Sequence, residues 1–96
     1  MVTEFAQIEV KPGMEEAFIT GVNKSQPLFL AAQGCHNMWL QRSIETPTTF
    51  LLMVEWETIE AHMVTFRQSD AFQQWRANVA ACFAEPPIVW HGERVV

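Results

Sequence analysis

Three histidines, at positions 36, 62 and 91, are the side chains of this sequence best suited to moving protons near neutral pH. His62 stands out. It lies three residues after Ile59 and four before Phe66, so a 3.6-residue period turns it inward with Ile59, Met63 and Phe66. A buried imidazole tends to be neutral and can act as a base or hydrogen-bond partner. The same pattern also suits a core histidine that is satisfied by a backbone carbonyl, and the spacing does not separate the two. His91 stands between Trp90 and Gly92, and His36 between Cys35 and Asn37. No HxH, HxxxH or histidine–carboxylate spacing marks a metal site, so no metal is expected. There is no GxSxG elbow for a serine hydrolase, no GxGxxG for a dinucleotide and no GxxxxGK[ST] for a phosphate loop.

Tryptophan offers a flat surface with an N–H that needs a partner when buried. Trp75 falls on a helical stripe with Phe72, Val79 and Phe83 and reads as core. Trp56 ends an apolar run just before the His62 helix, where a pocket wall and a core wall look alike. Arg67 and Arg76 flank the stripes and read as arginines whose stems lie along apolar surface.

The elements that must position these residues follow from pattern and punctuation. Residues 3–10 read as a strand that stops at Lys11-Pro12-Gly13. A helix opens there with Glu15 and Glu16 in its first turn, where the helix dipole favours carboxylates. Pro27 predicts a break near residues 25–26 and a separate turn through 28–32. Residues 35–45 and 49–57 read as a β-hairpin around Thr46-Pro47. Thr58 and Ser69 are the expected caps of helices 59–67 and 70–83. Pro86-Pro87 ends the helical region before a last strand, 88–95. The order is β-α-β-β-α-α-β: one α+β, ferredoxin-like domain over residues 1–96 with an antiparallel sheet.

The apolar run Phe50–Val54 implies a partner. A strand with one face in water alternates, yet this one does not. The helices are too few to cover both faces of the sheet, and an uncovered apolar face invites aggregation. A second copy packed sheet to sheet is the simplest cover, because a two-fold interface matches a patch to itself. The chain is therefore expected to be a homodimer. Composition agrees, with 49% hydrophobic residues, seven Phe, four Trp and no Tyr among 96 residues.

Net charge is −5 with six Lys and Arg and no basic cluster, which disfavours nucleic acid. No apolar run approaches the roughly 20 residues needed to cross a bilayer, and no signal-peptide pattern opens the chain, so no membrane partner is expected. Cys35 and Cys82, without a CxxC spacing, read as reduced thiols of a cytoplasmic protein.

The stretch LLMVEWETIEAHMVTFRQSDAFQQWRANVAACF, residues 51–83, resembles the antibiotic biosynthesis monooxygenase family. Family members carry a strand ending in Trp, a short helix with an inward His, and a Ser-x-x-Phe helix start, here Ser69 to Phe72. Pro12-Gly13 before acidic residues and Gly34-Cys35 before the second strand fit as well, so the likeness spans essentially the whole chain. It implies a dimeric α+β barrel with a pocket between the helices and the inner sheet face. It marks Trp56 and His62 as pocket residues, with His62 as the catalytic base or orienting group. Asn37, His91 and Phe66 are expected to reach the same space and bind substrate. The implied activity is cofactor-independent oxygenation of a small aromatic phenol or quinol by O2. The likeness equally allows a non-catalytic metabolite-binding dimer or an isomerase of the same fold. Haem degradation is not implied, because Ala6, Phe66 and Arg76 stand where haem-degrading relatives have Asn, Trp and His.

Overall fold

The computed structural model describes residues 1–96. Strand β1 (Val2–Glu9) leads to helix α1 (Glu15–Leu30), and the hairpin β2 (Cys35–Arg42) and β3 (Thr49–Trp56) follows. A single π-helical turn, Ala61–Phe66, comes next. Helix α2 (Asp70–Val79) then runs into a short 3-10 turn, Ala80–Cys82, and strand β4 (Ile88–Gly92) closes the fold. The four strands form one antiparallel sheet in the order β2-β3-β1-β4. This is the expected ferredoxin-like α+β arrangement.

Strand alternation decides the two faces of the sheet. In β3, Phe50, Leu52, Val54 and Trp56 are buried while Leu51 and Met53 are only partly covered. Register carries the pattern across: Ala6 faces Leu52 and Ile8 faces Phe50 on β1, and Met38 faces Val54 on β2. These side chains meet Phe18, Val22 and Phe29 of α1 and Trp75 and Val79 of α2 in one core. The helices cover this face alone. The opposite face displays Phe5, Trp39, Leu51, Met53, Ile88 and Trp90, with Phe5 and Trp90 stacked at 4.3 Å.

The structure corrects several local expectations. Helix α1 continues through Pro27 rather than breaking near residue 25. The N–H that proline lacks would have met the Asn23 carbonyl, and both residues lie on the exposed side, where water can serve that carbonyl. Beyond Pro27, fully buried Phe29 packs against Trp56, Phe66 and Trp75 and holds the last turn in place. The segment expected as helix 59–67 is mostly the π turn, with Arg67 N–H donating to the His62 carbonyl at 3.2 Å. His62 and Phe66 face inward from it, but Ile59 and Met63 are exposed rather than core, because the wider turn breaks the 3.6 period. Helix 70–83 gives way to the 3-10 turn after Val79, and the strands expected over 35–45 and 88–95 end at Arg42 and Gly92.

The expected caps are present. Thr58 Oγ1 accepts from Ala61 N–H at 3.1 Å and Ser69 Oγ from Phe72 N–H at 3.3 Å. Between the helices, Asn78 donates to Ser25 Oγ, which donates in turn to the Gly21 carbonyl. Both cysteines are free, Cys82 buried and Cys35 partly so. Burial pushes the Cys35 thiol up to about 11 and keeps it unreactive. No helix is long and apolar enough to cross a membrane.

Candidate active site

Cross-strand register places Glu4 of β1 directly beside His91 of β4 on the helix-covered face. The π turn lowers His62 onto the pair. His62 Nε2 lies 3.3 Å from Glu4 Oε1, and His62 Nδ1 lies 2.8 Å from His91 Nε2. Trp56 closes the group from behind. Its indole lies nearly parallel to the His62 ring, and its N–H donates to Glu4 Oε1 at 3.0 Å. Glu4 is 5% exposed and His62 3%. The three titratable groups meet in a line, each atom facing the next, and do not converge on a point as metal ligands do.

Burial sets the charges. It pushes the Glu4 carboxyl up to about 7, although the Trp56 hydrogen bond and the Arg67 guanidinium both pull it down. Burial, then His91 and Arg67, hold the His62 imidazole down to about 4. His91 is lowered as well, by burial and then by Arg67. Near neutral pH both rings are therefore uncharged, and the 3.3 Å approach of His62 Nε2 to Glu4 Oε1 is a close polar contact rather than an ion pair.

Beside this group lies a cavity of about 520 Å³ between the sheet and α2. Glu4, Ala6, Ile8 and Leu52 form its floor, and Phe66, Phe72, Trp75 and Phe83 form apolar walls. Arg67 and Arg76 also border it, both exposed and neither in a salt bridge. A small, largely apolar space with one buried acid and a rim on which two arginines outnumber Glu85 suits a flat molecule that is or becomes an anion.

Of the residues singled out from sequence, His62 and Phe66 line the cavity. Trp56 is fully buried and supports His62 from behind without bordering the space. His91 bonds to His62 but lies outside the lining. Asn37 sits with Glu55 on the opposite face of the sheet, on edge strand β2, with its side-chain oxygen accepting from Met38 N–H. His36 lies near Glu57, away from the group. Glu4 was not anticipated. The signal was in β1, where Glu4, Ala6 and Ile8 share one face by alternation, so a carboxylate stood on the inward side of a strand.

A family model for antibiotic biosynthesis monooxygenase matches residues 1–78. The uncharacterized protein YczJ of Bacillus subtilis is 33% identical over 95 residues, covering 99% of this chain and all of that protein. A Bordetella bronchiseptica protein assigned to the antibiotic biosynthesis monooxygenases has a crystal structure that superposes with a TM-score of 0.98. It is 52% identical, with 99% of this chain and 97% of that one covered. A Nitrosomonas europaea protein of the same assignment superposes with a TM-score of 0.85 over the full length of both chains. At 21% identity it speaks for the fold alone.

Proposed function

The chain belongs to the antibiotic biosynthesis monooxygenase family, and from that premise we propose that it is a monooxygenase acting on a small phenol- or quinol-type aromatic held in the cavity under α2. The carrying observation is the pairing, in one apolar space, of a buried proton-accepting group around His62 with the guanidiniums of Arg67 and Arg76, neither of which is in a salt bridge. Phe66, Phe72 and Trp75 offer faces for an aromatic ring to stack on. Removing the ring hydroxyl proton leaves an electron-rich anion, which the two arginines favour over the neutral molecule. That anion can donate an electron to O2. One oxygen atom ends as a new ring carbonyl and the other as water, and the substrate itself supplies the four electrons. The reaction so written calls on no flavin, haem or metal.

The active form in this proposal is a homodimer. The uncovered sheet face carries Phe5, Trp39, Leu51, Met53, Ile88 and Trp90 in one patch, with Trp90 53% exposed. A second copy applied to the same face would bury it with matched chemistry.

Oxygen uptake with a panel of hydroquinones, naphthols and anthrones tests the activity. The expected result is one O2 consumed per product carrying one added oxygen atom, with water and no hydrogen peroxide as the co-product, and loss of uptake by roughly 10²–10⁴-fold in His62→Ala. Thermal stabilisation by these compounds without oxygen uptake would replace the oxygenase reading with simple binding.

A further inference from the structure

Glu4, His62 and His91 form an unbranched chain of polar atoms whose two ends are both free. At the inner end Glu4 Oε1 accepts from Trp56 and lies 3.3 Å from His62 Nε2, while Oε2 makes no hydrogen bond. At the outer end His91 uses Nε2 toward His62, and its Nδ1 makes none. No buried side-chain nitrogen or oxygen lacks a partner, so both free atoms open onto accessible space. For Oε2 that space is the cavity, which Glu4 lines. For Nδ1 it lies outside the cavity lining, on a ring that is only partly buried. His62 turns Nδ1 to His91 and Nε2 toward Glu4.

We propose that Glu4 is the group that exchanges a proton with the substrate, and that His62 and His91 connect it to solvent as one relay. The identity of the proton's source rests on the oxygenase reading above; the relay itself does not. With Glu4 ionised, His62 carries hydrogen on Nε2 and donates to Oε1, and His91 carries hydrogen on Nε2 and donates to His62 Nδ1. A solvent proton added at His91 Nδ1 moves the His91 Nε2 hydrogen to His62 Nδ1 and the His62 Nε2 hydrogen to Glu4 Oε1. Glu4 becomes neutral, and both rings remain neutral with their hydrogens on Nδ1. A substrate proton taken at Oε2 then drives the Oε1 hydrogen back along the same path. One proton leaves at His91 Nδ1 for the one taken from the substrate; Oε2 then returns its new proton to the product, which leaves Glu4 ionised with both rings protonated on Nε2, the starting state, and no imidazolium is formed.

The surroundings suit this division of roles. Burial raises Glu4 and depresses both histidines, so the resident proton sits on the carboxyl. The charged groups facing the relay are Arg67, next to the π turn, and Arg76 and Glu85 across the cavity. Both arginines oppose a second positive charge on the rings. Trp56 fixes the inner two members, stacking on His62 and bonding to Glu4.

Nitrogen-15 NMR of ligand-free protein, titrated between about pH 5 and pH 9, reads the relay directly because imidazole tautomers and imidazolium have distinct ring-nitrogen shifts. The expected result is that His62 stays neutral and that both rings exchange tautomers together, with the Glu4 carboxyl carbon titrating at the same midpoint, about 7. In Glu4→Gln both rings should hold one tautomer throughout. Rings that keep a fixed tautomer while Glu4 titrates, or His62 charging across this range, would overturn the proposal, and the parent titration decides this even if the variant does not fold. Oxygen uptake is a separate readout. A coupled tautomer change without uptake leaves the relay standing and removes the oxygenase reading, and uptake with fixed tautomers does the reverse.

Discussion

Trp56 lies against His62 with ring centroids 5.3 Å apart and planes 14° apart, and the same indole donates to the carboxylate that His62 reaches. One fully buried side chain thus sets both the orientation of an imidazole and the charge of its partner. Trp56→Phe keeps a ring for stacking but removes the donor. The Glu4 midpoint should rise above its parent value, and stability should fall by about 1–3 kcal/mol, the usual cost of stranding a buried acceptor. Carboxyl carbon NMR and urea unfolding measure the two effects. An unmoved midpoint would show that the indole does not govern Glu4.

Stability should follow pH in a way set by two opposed groups. Glu4 has a raised pKa in the fold, so folding favours its protonated form. Its penalty is absent below about 4.5 and complete above about 7. His62 is lowered, so folding favours its neutral ring, and stability is lost as pH falls from about 6.5 toward 4. Between about 4.5 and 6.5 the slopes oppose each other and stability should be nearly level. Glu4→Gln removes the first term, and the variant should gain about 1–3 kcal/mol over the parent at pH 8 relative to pH 5. Urea unfolding at the two pH values checks this, and an equal difference at both would count against a destabilised carboxylate.

Gly21 allows α1 to approach α2. A Cβ there would stand 2.5 Å from the Asn78 carbonyl oxygen and 3.0 Å from a Val79 methyl. In an open helix Gly→Ala stabilises by about 1 kcal/mol. Here Gly21→Ala should destabilise by about 1–3 kcal/mol, because backbone must shift to admit the methyl. The sign of the change in urea midpoint is the test.

The uncovered sheet face predicts the oligomer. Sedimentation should give about twice 11.0 kDa for the parent. Met53→Asp, on that face in the middle of β3, should give monomer or aggregate, since an unpaired carboxylate would be buried between the sheets. A soluble parent monomer at micromolar concentration would remove the dimer.

The sequence by itself determined the element order and the two-faced sheet. Strand alternation and helix period are local properties, and caps such as Ser69 and stops such as Pro86-Pro87 act within a few residues. It also identified His62 as the inward histidine of its turn, because His62 and Phe66 stand one turn apart in either kind of helix. Tertiary structure decided the rest. Pro27 continues a helix only because Phe29 is gripped by Trp56, Phe66 and Trp75, which come from elsewhere in the chain. Asn37 and His91 are both strand residues near aromatic neighbours on edge strands, yet register puts Asn37 on the uncovered face of β2 and His91 on the covered face of β4, beside Glu4. The line from Glu4 through His62 to His91 joins the first strand, a turn and the last strand. Its members meet because β1 pairs with β4 in a particular register, and register is fixed by packing of whole faces rather than by any residue's neighbours in sequence.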